Sequence, residues 1–87
     1  MFIEEMETTR DQFARIIKKY WDDQDFEISL INTIHYNVDG EDVTENKRFI
    51  IEIQCSNKVK HSEMMRFCKI IGVDLSALET RRDKFYQ

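Results

Sequence analysis

Proline is absent from this chain of 87 residues, and glycine occurs only as Gly40 and Gly72. With so few breakers the chain is expected to run in long regular elements, with each glycine at a corner. Two isolated glycines also exclude a glycine-rich phosphate cradle, and no Gly-x-Ser-x-Gly elbow is present. No apolar run approaches the roughly 20 residues of a membrane span. The start, Met1-Phe2-Ile3-Glu4-Glu5, has no basic segment and no apolar stretch behind it, so no secretory leader is expected. Cysteine appears only as Cys55 and Cys68, too few for the disulfide framework of a small secreted domain. These absences point to a cytoplasmic protein with two reduced thiols, each acting as a small core hydrophobe.

What is present suits one domain spanning residues 1–87. A hydrophobic share of 41% with 11% aromatics supplies one core and argues against disorder. Charged residues make up 34% and divide unevenly. Residues 1–56 hold thirteen acids and six bases; residues 57–87 hold seven bases and four acids, and the balances of −7 and +3 sum to −4. Opposed fields of this kind steer encounters with charged partners more than they stabilise a fold.

The hydrophobic pattern predicts the order α-β-β-α-α, an α+β fold with helices packed on one face of a two-stranded antiparallel hairpin. Phe13, Ile16, Ile17, Tyr20 and Trp21 form a stripe at the helical period. Thr9 followed by Gln12 fits a capping box, and residues 1–7 either extend this helix or cross the core through Phe2, Ile3 and Met6. Alternation then marks a strand from Phe26 to Val38, even residues inward, with a bulge expected near Asn32. A second strand from Lys47 to Cys55 follows a loop containing Asp39-Gly40. Pairing Ile34 with Ile51 and Tyr36 with Phe49 sets inward residues opposite each other. Met64, Met65, Cys68 and Ile71 mark a helix stopping at Gly72, and Asp74 is placed to cap a last helix through Leu75, Leu78 and Phe85.

Catalytic chemistry finds little footing. Cys55, His61, Cys68 and His35 are metal-ligand types, but their spacing lacks the close pairs of a zinc site. Cys68 sits among Met64, Met65 and Ile71, a setting that buries a thiol rather than activates it. No enzyme activity, metal, cofactor or small-molecule substrate is therefore expected.

Binding is better supplied. Asp22, Asp23 and Asp25 on the first helix–strand connection, and Asp39, Glu41 and Asp42 at the hairpin tip, are candidate docking acids for a basic target surface. Lys58, Lys60 and His61 lead into a helix whose N-terminus offers donors to a phosphate, with Arg66, Lys69, Arg81, Arg82 and Lys84 extending a basic patch. From Phe67 to Arg82 the chain reads FCKIIGVDLSALETRR, and about these sixteen residues resemble a helix-turn-helix tract. The likeness lies in Ile71, Gly72 and Val73 at the turn, Leu78 beyond it and small Cys68 before it. It implies DNA contact by the second helix, although charge stands at Arg81 where such helices carry an apolar residue; a purely structural αα corner explains the same residues.

The expectation is thus a small non-enzymatic regulator or inhibitor that docks on a macromolecular target, comparable in size and character to bacteriophage and mobile-element accessory proteins with counter-defence or host-enzyme-inhibiting roles. The alternative is a nucleic-acid binder, RNA ahead of DNA, using residues 58–84. Open hairpin edges also predict a homodimer, through an edge or the outer face of the sheet.

Overall fold

Alternation begins earlier than the apolar pattern suggests, because Phe2–Thr9 forms a strand, β1. In the computed structural model residues 1–38 and 41–78 are described, with the backbone alone between 36 and 46. After β1 come α1 (Arg10–Tyr20), β2 (Phe26–Val38), β3 (Glu41–Cys55) and α2 (Lys58–Ile70). The order is β-α-β-β-α, and the sheet has three antiparallel strands in the order β1-β3-β2. This corrects the expected α-β-β-α-α with its two-stranded hairpin. A third strand occupies the segment assigned to a helix extension or crossing chain, and no final helix is among the elements of the described residues. Residues 79–87, including Phe85 and the greater part of that expected helix, lie outside the described residues.

β1 escapes a search for apolar alternation because its helix-facing row is Phe2, Glu4, Met6 and Thr8. In the ladder Glu4 lies opposite Ile53, Met6 opposite Ile51 and Thr8 opposite Phe49. Buried Thr8 is accommodated by donating its hydroxyl to the Phe49 carbonyl at 3.4 Å.

The β2–β3 register also differs from expectation. Phe26 pairs with Cys55, Ile28 with Ile53 and Leu30 with Ile51. A register shift between Leu30 and Asn32 then makes Ile31 the extra residue of a bulge. Beyond a bulge the facing parity inverts. Thr33 therefore meets Phe49, while Ile34 meets Arg48 rather than Ile51. Pairing also reaches further toward the tip than expected, since β3 begins at Glu41 and Val38 pairs with it. The turn residues Asp39 and Gly40 lie outside the described residues.

Both helices cover the same face of the sheet. Met6, Ile51 and Ile53 from the strands meet Ile16 and Tyr20 of α1 and Met64 and Cys68 of α2 in one core, closed by Val73. Each large apolar side chain buried there contributes about 1.5–3 kcal/mol. Tyr20 lies on Phe26 at 4.3 Å between ring centroids and meets Phe67 edge-on at 6.1 Å. Trp21, expected within the buried stripe, is the C-cap of α1 and 75% exposed.

One side chain ties the two helices. Thr9 and Gln12 make the capping box: the Gln12 amide nitrogen donates to Thr9 Oγ1 at 3.1 Å, and Thr9 N–H donates to Gln12 Oε1 at 2.9 Å. Gln12 Nε2 then donates to the carbonyl of Ile71, the C-cap of α2, at 3.3 Å. Gly72, at φ +91°, takes the left-handed conformation that ends α2. Its N–H donates to Lys69 O, and Val73 N–H donates to Cys68 O, which is the Schellman pattern. Asp74 Oδ1 accepts from the Ser76 N–H and hydroxyl, and these bonds hold its carboxyl below the usual value; Ala77 and Leu78 are helical, and the continuation lies outside the described residues.

Two substitutions test this packing by urea unfolding. Gln12→Ala removes the side-chain half of the capping box and the clamp, while the backbone N–H of residue 12 still caps on Thr9, and is expected to cost about 1–2 kcal/mol. Among the described residues, Tyr20 Oη is the buried side-chain oxygen that has no hydrogen-bond partner. Tyr20→Phe removes that desolvated hydroxyl and is expected to raise stability by about 1 kcal/mol.

Candidate functional site

The connection between α1 and β2 reaches the start of α2 in space, and there the residues assigned to two opposite surfaces meet. Lys60 Nζ lies 2.7 Å from Asp25 Oδ2 and 3.0 Å from Asp23 Oδ1. The turn that presents these acids is fixed locally, since Asp25 N–H donates to Asp23 Oδ1 at 3.0 Å. Ser56 closes it from the end of β3, its N–H donating to Asp25 O and its hydroxyl to Asp25 Oδ1, both at 3.0 Å. Hydrogen bonds from Lys60 first and Ser56 second hold the Asp25 carboxyl below its ordinary value. Asp25 and then Asp23 raise Lys60 to about 12. Lys60 is thus engaged in pinning a loop to a helix, and Asp23 and Asp25 are half-covered by it. Asp22 is exposed beside them.

His61 is similarly engaged. Its Nε2 lies 2.9 Å from Glu4 Oε1, and its ring stacks on Phe2 at 4.8 Å with an interplanar angle of 19°. Glu4 faces the helices for this contact, and so β1 is joined to the first turns of α2. Glu4 was missed in the sequence because an acid in a strand reads as a solvent-facing residue, and its partner is 57 residues away.

Lys58, Arg66 and Lys69 differ from these two. All three are exposed, and at 3.6 residues per turn they fall with Ser62 within about 80° of the circumference of α2. Among the described residues they form no ion pair. They make a basic stripe on the side of α2 turned away from the sheet. Arg81, Arg82 and Lys84 lie outside the described residues, as do Asp39 and the side chains of Glu41 and Asp42. The expected recognition helix of the helix-turn-helix tract lies largely outside them as well.

The division of charge follows layers rather than halves of the chain. The helices hold eight bases (Arg10, Arg15, Lys18, Lys19, Lys58, Lys60, Arg66, Lys69) against two acids (Asp11, Glu63). The strands hold eight acids (Glu4, Glu5, Glu7, Glu27, Glu41, Asp42, Glu45, Glu52) against two bases (Lys47, Arg48). The four bases of α1 lie in the acidic half of the sequence, which concealed this partition.

The sheet face left open by the helices shows the consequence. Across β1-β3-β2 one row reads Ile3, Gln54, Glu27, and the next reads Glu5, Glu52, Ser29. Glu7 pairs with Ile50 and Thr9 with Arg48, the face's single base among the described side chains. Glu5 stands directly opposite Glu52, where like charges destabilise a ladder. Gln54 donates to Glu52 Oε1 at 2.7 Å. This surface is acidic, carries isoleucines among its carboxylates, and has no aromatic ring among its described side chains.

The thiols are core residues. Burial pushes Cys68 up to about 11, and its Sγ contacts Met64 Sδ at 3.6 Å. Cys55, also buried, donates to Asn57 O. Among the described residues no three His, Cys, Asp or Glu side chains are arranged to hold a metal ion, and no helix is long and apolar enough to cross a membrane. Comparison of the chain with protein-family profiles, curated proteins and solved structures finds no match in any of the three.

The pinned junction has a signature in pH. Asp25, with its carboxyl depressed, contributes stability above the unfolded value of 3.8, and that contribution is lost as pH falls through the lower folded value. Lys60 contributes below its unfolded value of 10.5 and loses the contribution as pH rises through about 12. Lys60→Met should therefore flatten the stability profile at both ends, read as the urea midpoint against pH.

Proposed function

We propose that the protein is a non-enzymatic binding protein of regulatory or inhibitory type, which lays the open acidic face of its sheet on a basic macromolecular surface. The observation that carries this reading is the open face itself, where Glu5, Glu7, Glu27 and Glu52 stand against Arg48 alone among the described side chains. A carboxylate array with isoleucines among it offers both halves of a specific contact. The charge steers approach, and the apolar groups give area to bury. A basic groove that normally holds nucleic acid is the target chemistry this face complements. In size and acidity the chain is comparable to accessory proteins of bacteriophages and mobile elements that block host enzymes or defences, acting in the cytoplasm.

The stripe of Lys58, Arg66 and Lys69 supports a second reading, nucleic-acid binding through the helix layer, with RNA ahead of DNA. Contact would be to the phosphate backbone, because the bases of this stripe have no aromatic interleaved among them for stacking. The open sheet is unsuited to that role, being acidic and without rings among its described side chains.

Glu52→Lys separates the readings. It places a cation opposite Glu5, so stability should hold or rise by about 0.2–1 kcal/mol while capture of partner protein from the native host is lost. Lys58, Arg66 and Lys69 changed together to Glu should leave that capture intact. Retention of the wild-type protein on heparin and RNA, falling steeply with salt and abolished by the helix variant alone, would instead establish the nucleic-acid reading.

A further inference from the structure

β2 is a sheet edge of 13 residues, FEISLINTIHYNV, and Glu27 is its single acid. It contains no lysine, arginine or proline, the residues that commonly protect an open strand from pairing. Its one interruption before His35 is the bulge at Ile31, which leaves Phe26–Leu30 as a regular stretch on the edge; the Phe26 N–H is taken by Asp23 O at 3.1 Å, and no other strand among the described residues pairs with the outer side beyond it.

Beside this stretch runs a groove of about 610 Å³ between α1 and the sheet, with Phe13, Ile17, Trp21, Leu30 and Phe49 among its walls. Among the described residues its outer wall is left uncovered. Trp21 is 75% exposed, and Leu30 and the neighbouring Ile31 are each 52% exposed. An exposed tryptophan in the wall of an apolar depression is the residue type that anchors interfaces. The rim carries both signs, Arg10 and Lys18 against Asp22.

We infer that a second copy of this chain covers the groove, with β2 of each protomer paired antiparallel about a twofold axis through Ile28. The occupant must supply a strand, to satisfy the open backbone positions, together with apolar side chains. β2 itself supplies both. A segment of one charge sign would meet its own sign on part of the mixed rim, whereas a twofold contact presents both signs to both. Centring on Ile28 sets Phe26 opposite Leu30 of the partner and Glu27 opposite Ser29, so no acid meets itself. The result is a continuous six-stranded sheet that doubles the width of the acidic face, with Trp21 and Leu30 withdrawn from water at its centre.

Sedimentation equilibrium of the full chain from about 1 µM to about 1 mM tests this. The wild type should move from monomer to dimer within that range. Leu30→Lys and Trp21→Ser, both at exposed positions, should each weaken dimerisation at least about tenfold with unchanged circular dichroism. Ile70→Lys, at an 82% exposed position on α2, should have no effect. A wild type that stays monomeric throughout overturns the inference and leaves the edge to a strand of another protein. Dimerisation broken by Ile70→Lys but not by the two groove variants overturns it too.

Discussion

The pairing of β1 with β3 is the contact on which the rest of this fold depends. A two-stranded hairpin is marginal in water, and β1 turns it into a sheet with a central strand. β3 is that strand, and Ile51, Ile53 and Cys55 from it are fully buried. Both helices find their seat on this row. The cost is that β1 brings Glu4 to the covered face, and His61 meets it there. The 2.9 Å contact with His61 and the stack on Phe2 are therefore part of what accommodates the third strand.

Much of the local structure was legible from residue type. Thr9 and Gln12 announce the start of α1, and Gly72 announces the end of α2, because those backbone geometries admit few other residues. The bulge was legible too, since Asn32 interrupts an apolar row. What defeated the reading were features set by distant partners. Glu4 and Thr8 dilute the apolar alternation of β1, and each makes sense only against a residue over 40 positions away. The bulge then reversed the facing of the residues from Asn32 to His35, which carried Ile34 to Arg48.

The candidate surface followed the same pattern. Lys60 on one side and Asp23 and Asp25 on the other, expected on two opposite docking surfaces, are paired with one another. Counting charge along the chain separated two ends, whereas the fold separates two layers. The four bases of α1 sit in the acidic half of the sequence and join those of α2 in space. Coulomb attraction between a basic helix layer and an acidic sheet favours their stacking weakly, since most of these groups are solvated. Its larger effect is on approach, because a molecule with unlike faces turns as it nears a charged surface.

Gln12 gives the fold a coupling that neither helix would have alone. Its oxygen serves the first turn of α1 and its nitrogen serves the end of α2, 59 residues away. If α2 lifts from the sheet, the amide loses its second anchor and the α1 start frays with it. The opening of either helix is thus felt by the other. Amide protons in two segments remote in sequence then share one opening event.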